Sequence, residues 1–135
     1  MRVTGWDVST KEGIEIEAGN STLLSELRGD LGGTSVLSSA IAERTEQLVH
    51  TVPLSDAEAR YRAEAVFRRL GRRFVTGEGV AEGDARIRVG TYLELVGLGP
   101  LFNGRYYVAE VRHTFNPEQG FRTQFRVERP GIGRG

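Results

Sequence analysis

The sequence predicts a mostly β fold of the α+β class: an antiparallel meander that closes into a β-barrel, with one well-defined helix packed against it. Three observations predict this fold. The chain has 135 residues and 18 glycines, a share about twice the ordinary one, which favours turns and short strands. Its second half alternates apolar and polar residues between turn signals. Residues 55–76 are the one long segment with clear helical periodicity.

We expect a single β-barrel domain over residues 1–135, with an N-terminal hairpin and an irregular segment in residues 1–54. Arg2–Trp6 and Gly13–Ala18 alternate apolar and polar positions and predict the two strands of the hairpin. Ser21–Gly33 stays ambiguous, because its leucines have helical spacing while glycines interrupt them.

Two shorter elements are expected before the main helix. Thr34–Glu43 has apolar residues on one helical face and predicts a short helix. Glu46–Val52 predicts an extended stretch, and Pro53 after it marks the end of that stretch.

The main helix is predicted from about Asp56 to Phe74. Ser55 and Glu58 have the spacing of a capping box, in which each residue satisfies a free backbone N–H group at the start of a helix. An apolar stripe follows at intervals of three and four residues. It consists of Ala59, Ala63, Val66, Phe67, Leu70 and Phe74.

Residues 85–129 predict the antiparallel meander. The glycine-rich segment Gly77–Gly83 is expected to be a flexible turn between the helix and the first strand. Four strands are predicted, at Arg86–Val89, Tyr92–Leu98, Tyr106–Phe115 and Phe121–Arg129. Asn103-Gly104 is a strong signal for a two-residue hairpin turn. The tail, residues 130–135, has no apolar pattern and is expected to fray.

Charge and composition exclude several classes of function. The 18 basic residues balance the 18 acidic ones, so no net field attracts nucleic acid. No apolar run is long enough to insert into a membrane, and the absence of cysteine excludes disulfides and thiolate sites. We therefore expect a chain made in the cytoplasm that binds no nucleic acid and has no membrane insertion.

The residues predict no catalytic, cofactor or metal site. Gly77–Gly83 lacks the Lys-Ser/Thr pair of a phosphate-binding loop and follows a helix rather than a strand. His50 and His113 have no second histidine or cysteine at ligand spacing, so structural roles are expected for both. A general-base role for His113 is the nearest catalytic alternative, but no serine or cysteine stands in a nucleophile context. The chain is therefore expected not to be an enzyme.

The meander carries many aromatic and arginine residues. Alternation directs some aromatic side chains outward, where a partner chain would have to cover them, although a single ordinary core explains the pattern equally well. The arginines of the last strands fit either cross-strand ion pairs or a subunit contact.

Five segments and their order resemble the C-terminal region of phage late control protein D. The segments are SDAEA (55–59), GTYLELVGLG (90–99), FNGRYYV (102–108), VRH (111–113) and FRTQF (121–125). Gly5-Trp6-Asp7 is similar to the segment that opens the same region in that family, so the resemblance covers nearly the whole chain. Members of the family are generally longer and have another barrel ahead of this segment.

The resemblance implies a non-catalytic structural component of a phage tail or contractile injection machine, similar to the VgrG proteins. Such a baseplate hub links the tail tube and the spike, which would be the partners, and it forms a homo-oligomer, usually a trimer. The chain would then be assembled into a virion or an injection-system particle. The strands Tyr92–Leu98 and Phe121–Arg129 are the expected subunit contacts. The candidate contact residues are Tyr92, Glu94, Arg122, Gln124 and Arg126.

Two other functions stay open at this stage. A small ligand-binding β-barrel would need an enclosed apolar cavity with a few convergent polar groups. A hydrolase of cell-wall material would need His113 or Glu110 in a cleft with a shifted pKa.

Overall fold

The structure, a computed structural model, describes residues 1–7, 10–41, 47–48 and 55–134. The chain divides into two units, Met1–Gly71 and Arg72–Gly135. The fold is mostly strands in antiparallel sheets with one main helix, which confirms the predicted fold class. The expectation of one domain stays a prediction.

The elements are numbered in chain order. Up to the main helix they are β1 (Arg2–Asp7), β2 (Glu12–Glu17), a 3₁₀ turn (Asn20–Leu23), α1 (Leu24–Leu27), β3 (Leu31–Gly32), α2 (Gly33–Ile41), β4 (Gln47–Leu48) and α3 (Asp56–Arg72). Beyond it they are β5 (Val75–Glu82), β6 (Tyr92–Leu95), β7 (Gly104–Asn116), β8 (Gly120–Arg129) and β9 (Gly131–Ile132).

The N-terminal hairpin has the position that the alternation predicts. β1 and β2 are antiparallel, with Arg2 opposite Glu17, and an ion pair of 3.2 Å joins Arg2 Nη1 to Glu15 Oε1. β4 pairs parallel with β1. Of the expected stretch Glu46–Val52 only Gln47 and Leu48 are described, and the other residues of that prediction, with His50 and Pro53, lie outside the described residues.

The ambiguous segment forms two short helical turns. Leu23 and Leu27 are buried, and the backbone then turns left-handed at Arg28 (φ 47°) and Gly29 (φ 91°). Two consecutive residues in that conformation end a helix, so α1 is limited to Leu24–Leu27. α2 begins one residue before the predicted helix, and residues 42 and 43 at its predicted end are outside the description.

α3 begins where the capping signal predicts. Ser55 Oγ accepts a hydrogen bond of 3.2 Å from the Glu58 N–H. Ala59 and Ala63 are fully buried and pack in a cluster with Ala18 and Phe67. The helix ends at Arg72, two residues earlier than expected, because β5 begins at Val75.

The glycine-rich segment is the main correction to the sequence analysis of the fold. Gly77 and Gly79 lie inside the eight-residue strand β5, not in a flexible turn. Every residue of β5 is opposite a residue of β8, from Val75 and Arg129 to Glu82 and Arg122. Arg86–Val89, expected as a strand, lies in turns and irregular backbone instead. Glycine was interpreted as a breaker, whereas here it makes room for aromatic rings of the neighbouring strand.

Gly79 shows this close packing most clearly. A Cβ atom added at Gly79 would lie 2.5 Å from Cζ of Phe125, which faces it across the β5–β8 pair. A Cβ at Gly83 would overlap the ring of Phe121 in the same way. The rings of β8 thus lie over β5 because the glycines have no side chains, as occurs where aromatic residues cover strand glycines.

The four-stranded sheet has the order β5-β8-β7-β6, and all its pairs are antiparallel. It curls into a half-barrel whose first and last strands, β5 and β6, are not paired with each other. A bulge between Val108 and Glu110 interrupts the β7–β8 register. Alternation gives the sheet two faces. The inner face packs into a core of Ile87, Tyr106, Val108 and Val127, joined by Val75, Ala81, Leu93, Leu95, Val111 and Phe125.

Asn103-Gly104 does not form the two-residue turn that the dipeptide predicts. Leu95 pairs with Gly104, so residues 96–103 form one longer loop. Asn103 Oδ1 accepts a hydrogen bond of 2.7 Å from the Leu98 N–H, which closes this loop on itself. The C-terminal tail, which was expected to fray, is attached to the same loop, because the Gly133 N–H donates to the Leu101 carbonyl at 2.9 Å.

Candidate functional site

All five candidate contact residues lie on the outer face of the four-stranded sheet. Tyr92 and Glu94 are on β6, whose other two residues, Leu93 and Leu95, join the core. The remaining three, Arg122, Gln124 and Arg126, alternate along β8 with buried or partly buried inner-face residues. β7 lies between these two strands, so the five residues flank its outer side chains.

A ladder of arginine and tyrosine side chains crosses the β6 side of this face. The Arg105 guanidinium lies 3.7 Å from the centroid of the Tyr92 ring. The rings of Tyr92 and Tyr107 meet edge to face, with centroids 5.7 Å apart, and Arg72 lies 4.0 Å over the ring of Tyr107. Each contact is a favourable cation–π or aromatic geometry, so four side chains from three segments of the chain are held in fixed positions.

The β8 side of the outer face carries polar contacts. Arg126 Nη2 forms an ion pair of 2.6 Å with Glu110 Oε1 of β7. Arg122 Nε donates to the Gln119 carbonyl at 3.1 Å, so this arginine stabilises the turn between β7 and β8. Gln124 is exposed between the two arginines. The outer face thus carries the arginine–tyrosine ladder on its β6 side and this ion pair on its β8 side.

The expected edge contact at Phe121–Arg129 is corrected by the strand order. β8 is paired on both sides, with β5 and with β7, so it has no free edge for a partner strand. The edges of the sheet are β6, which the sequence analysis named as the other expected contact, and β5, which it did not recognise as a strand. A contact through β8 must therefore use its outer side chains.

An apolar groove lies on the inner side, between the two edges of the half-barrel. It has a volume of about 520 Å³. β5 contributes Val75, Gly77 and Gly79, while the loop after β6 contributes Val96, Leu98 and Phe102 from the opposite side. Val96 and Leu98 are well exposed there.

His113 lies at the end of the inner face and has a hydrogen-bonded partner. Its Nδ1 is 2.9 Å from Oγ1 of the fully buried Thr123, which also accepts the Asp84 N–H at 3.1 Å. If the Thr123 hydroxyl donates to Nδ1, both contacts are satisfied with the proton of His113 on Nε2.

Among the described residues, no group of three or more His, Cys, Asp or Glu side chains is placed to hold a metal ion.

Sequence reasoning missed Asp84 and Arg86, which adjoin this cluster. Arg86 Nε and Nη2 both donate to the Asp84 carboxylate, at distances of 2.7–3.1 Å. These hydrogen bonds lower the pKa of Asp84 to about 2. The two residues are only two positions apart, so the spacing Asp-Ala-Arg after a glycine was the available signal.

No helix in the described part of the chain is both long and apolar enough to cross a bilayer.

Comparison with known protein families identifies the family to which the chain belongs. The model of the Alg8 N-terminal domain matches residues 1–117, which is most of the sequence. The chain belongs to the Alg8 N-terminal domain family. The Alg8 match extends from the N-terminal hairpin to the end of β7 and the first residue after it. No curated protein matches the chain.

The Alg8 match corrects the family assignment made from the sequence. The family whose model covers the chain is the Alg8 N-terminal domain, not phage late control protein D or the VgrG-like hubs. The segments quoted for that resemblance are the start of a helix, short strands and glycine turns, which are common in folds of this kind, so they did not decide the family.

The conclusions that followed from the resemblance are corrected with it. They are the tail-hub function and the location in a virion or injection particle. The expectation that the chain is not an enzyme, which the motif search had also produced, is corrected as well. The Alg8 match supports neither the ligand-binding barrel nor the cell-wall hydrolase, the two alternatives left open. The candidate contact residues and the homo-oligomer were not tested by the match, and they are taken up below as proposals.

Proposed function

We propose that this domain is an assembly module that forms a homo-oligomer, with a trimer favoured, through the outer face of its four-stranded sheet. The observation that carries the proposal is the ladder of Arg72, Tyr107, Tyr92 and Arg105. Tyrosine and arginine are the residues most enriched at the energetic centres of protein interfaces.

The ladder is already ordered in the single chain. Binding loses affinity when long side chains must be immobilised at an interface, at about 0.5–1.5 kcal/mol for each flexible side chain. Arg105 stacked on Tyr92 presents its guanidinium edge without that loss of freedom. Such a preorganised set of side chains is better explained by a role in subunit contact than by an ordinary solvent-exposed face.

The charges of the outer face suit a second copy of the same surface. Glu94 and Glu110 are exposed acids; Arg105 lies opposite Glu94 across the β6–β7 pair, and Arg126 forms an ion pair with Glu110. A symmetric oligomer brings identical or related patches together, so a face with both signs of charge can complement itself. The outer face needs no partner of opposite net charge for this reason.

The experiment is the molar mass of the domain by light scattering over a concentration series. A trimer or another closed oligomer is expected, and Tyr92→Ala with Arg105→Ala should shift the mass towards the monomer at equal concentration. Tyr61→Ala is the matched control, because Tyr61 is a highly exposed tyrosine on α3, outside the sheet. A wild-type chain that stays monomeric at every concentration would overturn the proposal.

A further inference from the structure

β5 is an edge strand, since in the described part of the chain no strand pairs with the side of β5 that faces away from β8. It has eight residues and forms the end of the sheet order β5-β8-β7-β6. Proteins usually protect such an edge with a proline, a lysine, a bulge or a short strand. The sequence VTGEGVAE has neither proline nor lysine, and its pairing with β8 is continuous over its whole length. An extended segment of another chain can therefore add to this edge.

The backbone groups that face the open edge can be identified. The Gly83 N–H donates to the Phe121 carbonyl at 2.8 Å, so odd-numbered residues of β5 direct their backbone groups to β8. In a regular antiparallel ladder the residues between them point the other way. The residues with outward N–H and C=O groups are Thr76, Glu78, Val80 and Glu82.

The side chains beside the edge specify what an added strand should contain. On the inner side, Gly77 and Gly79 line the apolar groove, with Val96 and Leu98 opposite them. On the outer side, Glu78 and Glu82 are exposed acids on either side of the exposed Val80. Since successive side chains of a strand point to opposite faces, an added strand would place every second residue in the groove and the others beside the two glutamates.

We propose that the β5 edge binds an extended segment of a different protein in which apolar residues alternate with lysine or arginine. The charge pattern selects this occupant over a second copy of the chain. The other free edge, β6, carries Glu94 between Leu93 and Leu95, and its addition to β5 would bring like charges together. Strand addition supplies affinity through main-chain hydrogen bonds and specificity through alternate side chains.

The test uses two synthetic peptides of about eight residues, one alternating valine with lysine and one alternating valine with glutamate. The domain is titrated with each peptide by calorimetry. We expect the lysine peptide to bind and the glutamate peptide to bind at least about tenfold more weakly, because only the first complements Glu78 and Glu82. Equal binding of both peptides, or binding of neither, would overturn the proposal.

Two substitutions at one exposed position separate backbone pairing from side-chain contact. Val80→Pro removes an outward N–H group without removing a β5–β8 hydrogen bond, and it should weaken binding of the lysine peptide by about tenfold or more. Val80→Thr keeps the N–H group and should change the affinity by less than about threefold. If both variants bind alike, the peptide does not pair with the edge.

A second readout holds even if Val80→Pro fails to fold. Amide hydrogen exchange of the wild-type domain with the lysine peptide should slow at Thr76, Glu78, Val80 and Glu82, and much less at the odd-numbered residues of β5. Slowing at the outer face of β6 and β7 instead would place the peptide elsewhere and contradict the proposal. Loss of self-association in Tyr92→Ala with Arg105→Ala leaves this exchange pattern unchanged, so the two proposals fail independently.

Discussion

Arg105 lies 3.7 Å over the ring of Tyr92, although the residue directly opposite it across the β6–β7 pair is Glu94. The guanidinium thus contacts its diagonal neighbour rather than the facing carboxylate. An exposed cross-strand ion pair contributes little, whereas an aromatic face also removes apolar surface from water. The outer face therefore has an aromatic and cationic centre where the charge pattern alone suggests an ion pair.

Replacing Tyr92 should show that its ring, not its hydroxyl, holds this contact. We expect Tyr92→Leu to lower the free energy of unfolding by about 1–2 kcal/mol, since it removes the contacts with both Arg105 and Tyr107. Tyr92→Phe keeps both ring contacts and should stay within about 0.5 kcal/mol of the wild type. Urea unfolding followed by circular dichroism measures the difference, and equal losses in the two variants would contradict it.

Gly79 and Gly77 provide a matched pair on one face of β5. We expect Gly79→Ala to destabilise the domain by about 1–3 kcal/mol, because the new methyl group meets the ring of Phe125. Gly77→Ala should have an effect of about 0.5 kcal/mol or less, since its Cβ would be 3.6 Å from Val127 Cγ2, an ordinary contact distance. Thermal or urea unfolding of the two variants gives the comparison. A second change, Phe125→Leu, should restore part of the loss in Gly79→Ala.

Arg129 is expected to be the least replaceable arginine of the sheet. It is 2% exposed, its Nη1 donates to the Asn103 carbonyl at 2.9 Å, and its guanidinium lies 5.4 Å from the Tyr106 ring centroid. We expect Arg129→Ala to lower the free energy of unfolding by about 2–4 kcal/mol, because the Asn103 carbonyl loses a charged donor and removal of the buried side chain leaves a cavity. Arg73→Ala, at an exposed position, is the control and should change it by less than about 0.5 kcal/mol.

The Asp84–Arg86 pair predicts a stability change at low pH. Hydrogen bonds from Arg86 lower the pKa of Asp84 from 3.8 to about 2. A carboxyl whose folded-state pKa is depressed contributes stability above its unfolded-state value, and that contribution disappears as the pH falls towards the folded-state pKa. The urea midpoint of the wild type should therefore fall between about pH 4 and pH 2 more steeply than that of Asp84→Asn.

The size of this pH effect should be small, because the Arg86 side chain is 91% exposed and solvent screens the pair. Glu118→Gln, in the exposed turn after β7, is the control for a carboxyl outside the Asp84–Arg86 pair. Parallel pH profiles for the wild type and Asp84→Asn would show that the pair makes no difference to stability.

The division of β6 into two faces can be predicted because alternation is a local property. Tyr92 and Glu94 alternate with Leu93 and Leu95, and this pattern alone separates the outer from the inner face of β6. The stacking of Arg105 on Tyr92 could not be predicted, since it depends on the register between two strands and on the choice between two nearby partners. Neither the strand register nor the choice of partner can be inferred from the spacing of residues in the sequence.

The sequence by itself determined the main helix and three of the meander strands. Each of these depends on periodicity or on the conformational preference of a few adjacent residues. Only the tertiary structure decided that Gly77 and Gly79 belong to a strand and that β8 is central while β5 is an edge. The physical reason is that a glycine in a strand is stabilised by the ring that covers it, here that of Phe125, which is 46 positions from Gly79 in the chain and adjacent to it only after the strands pair.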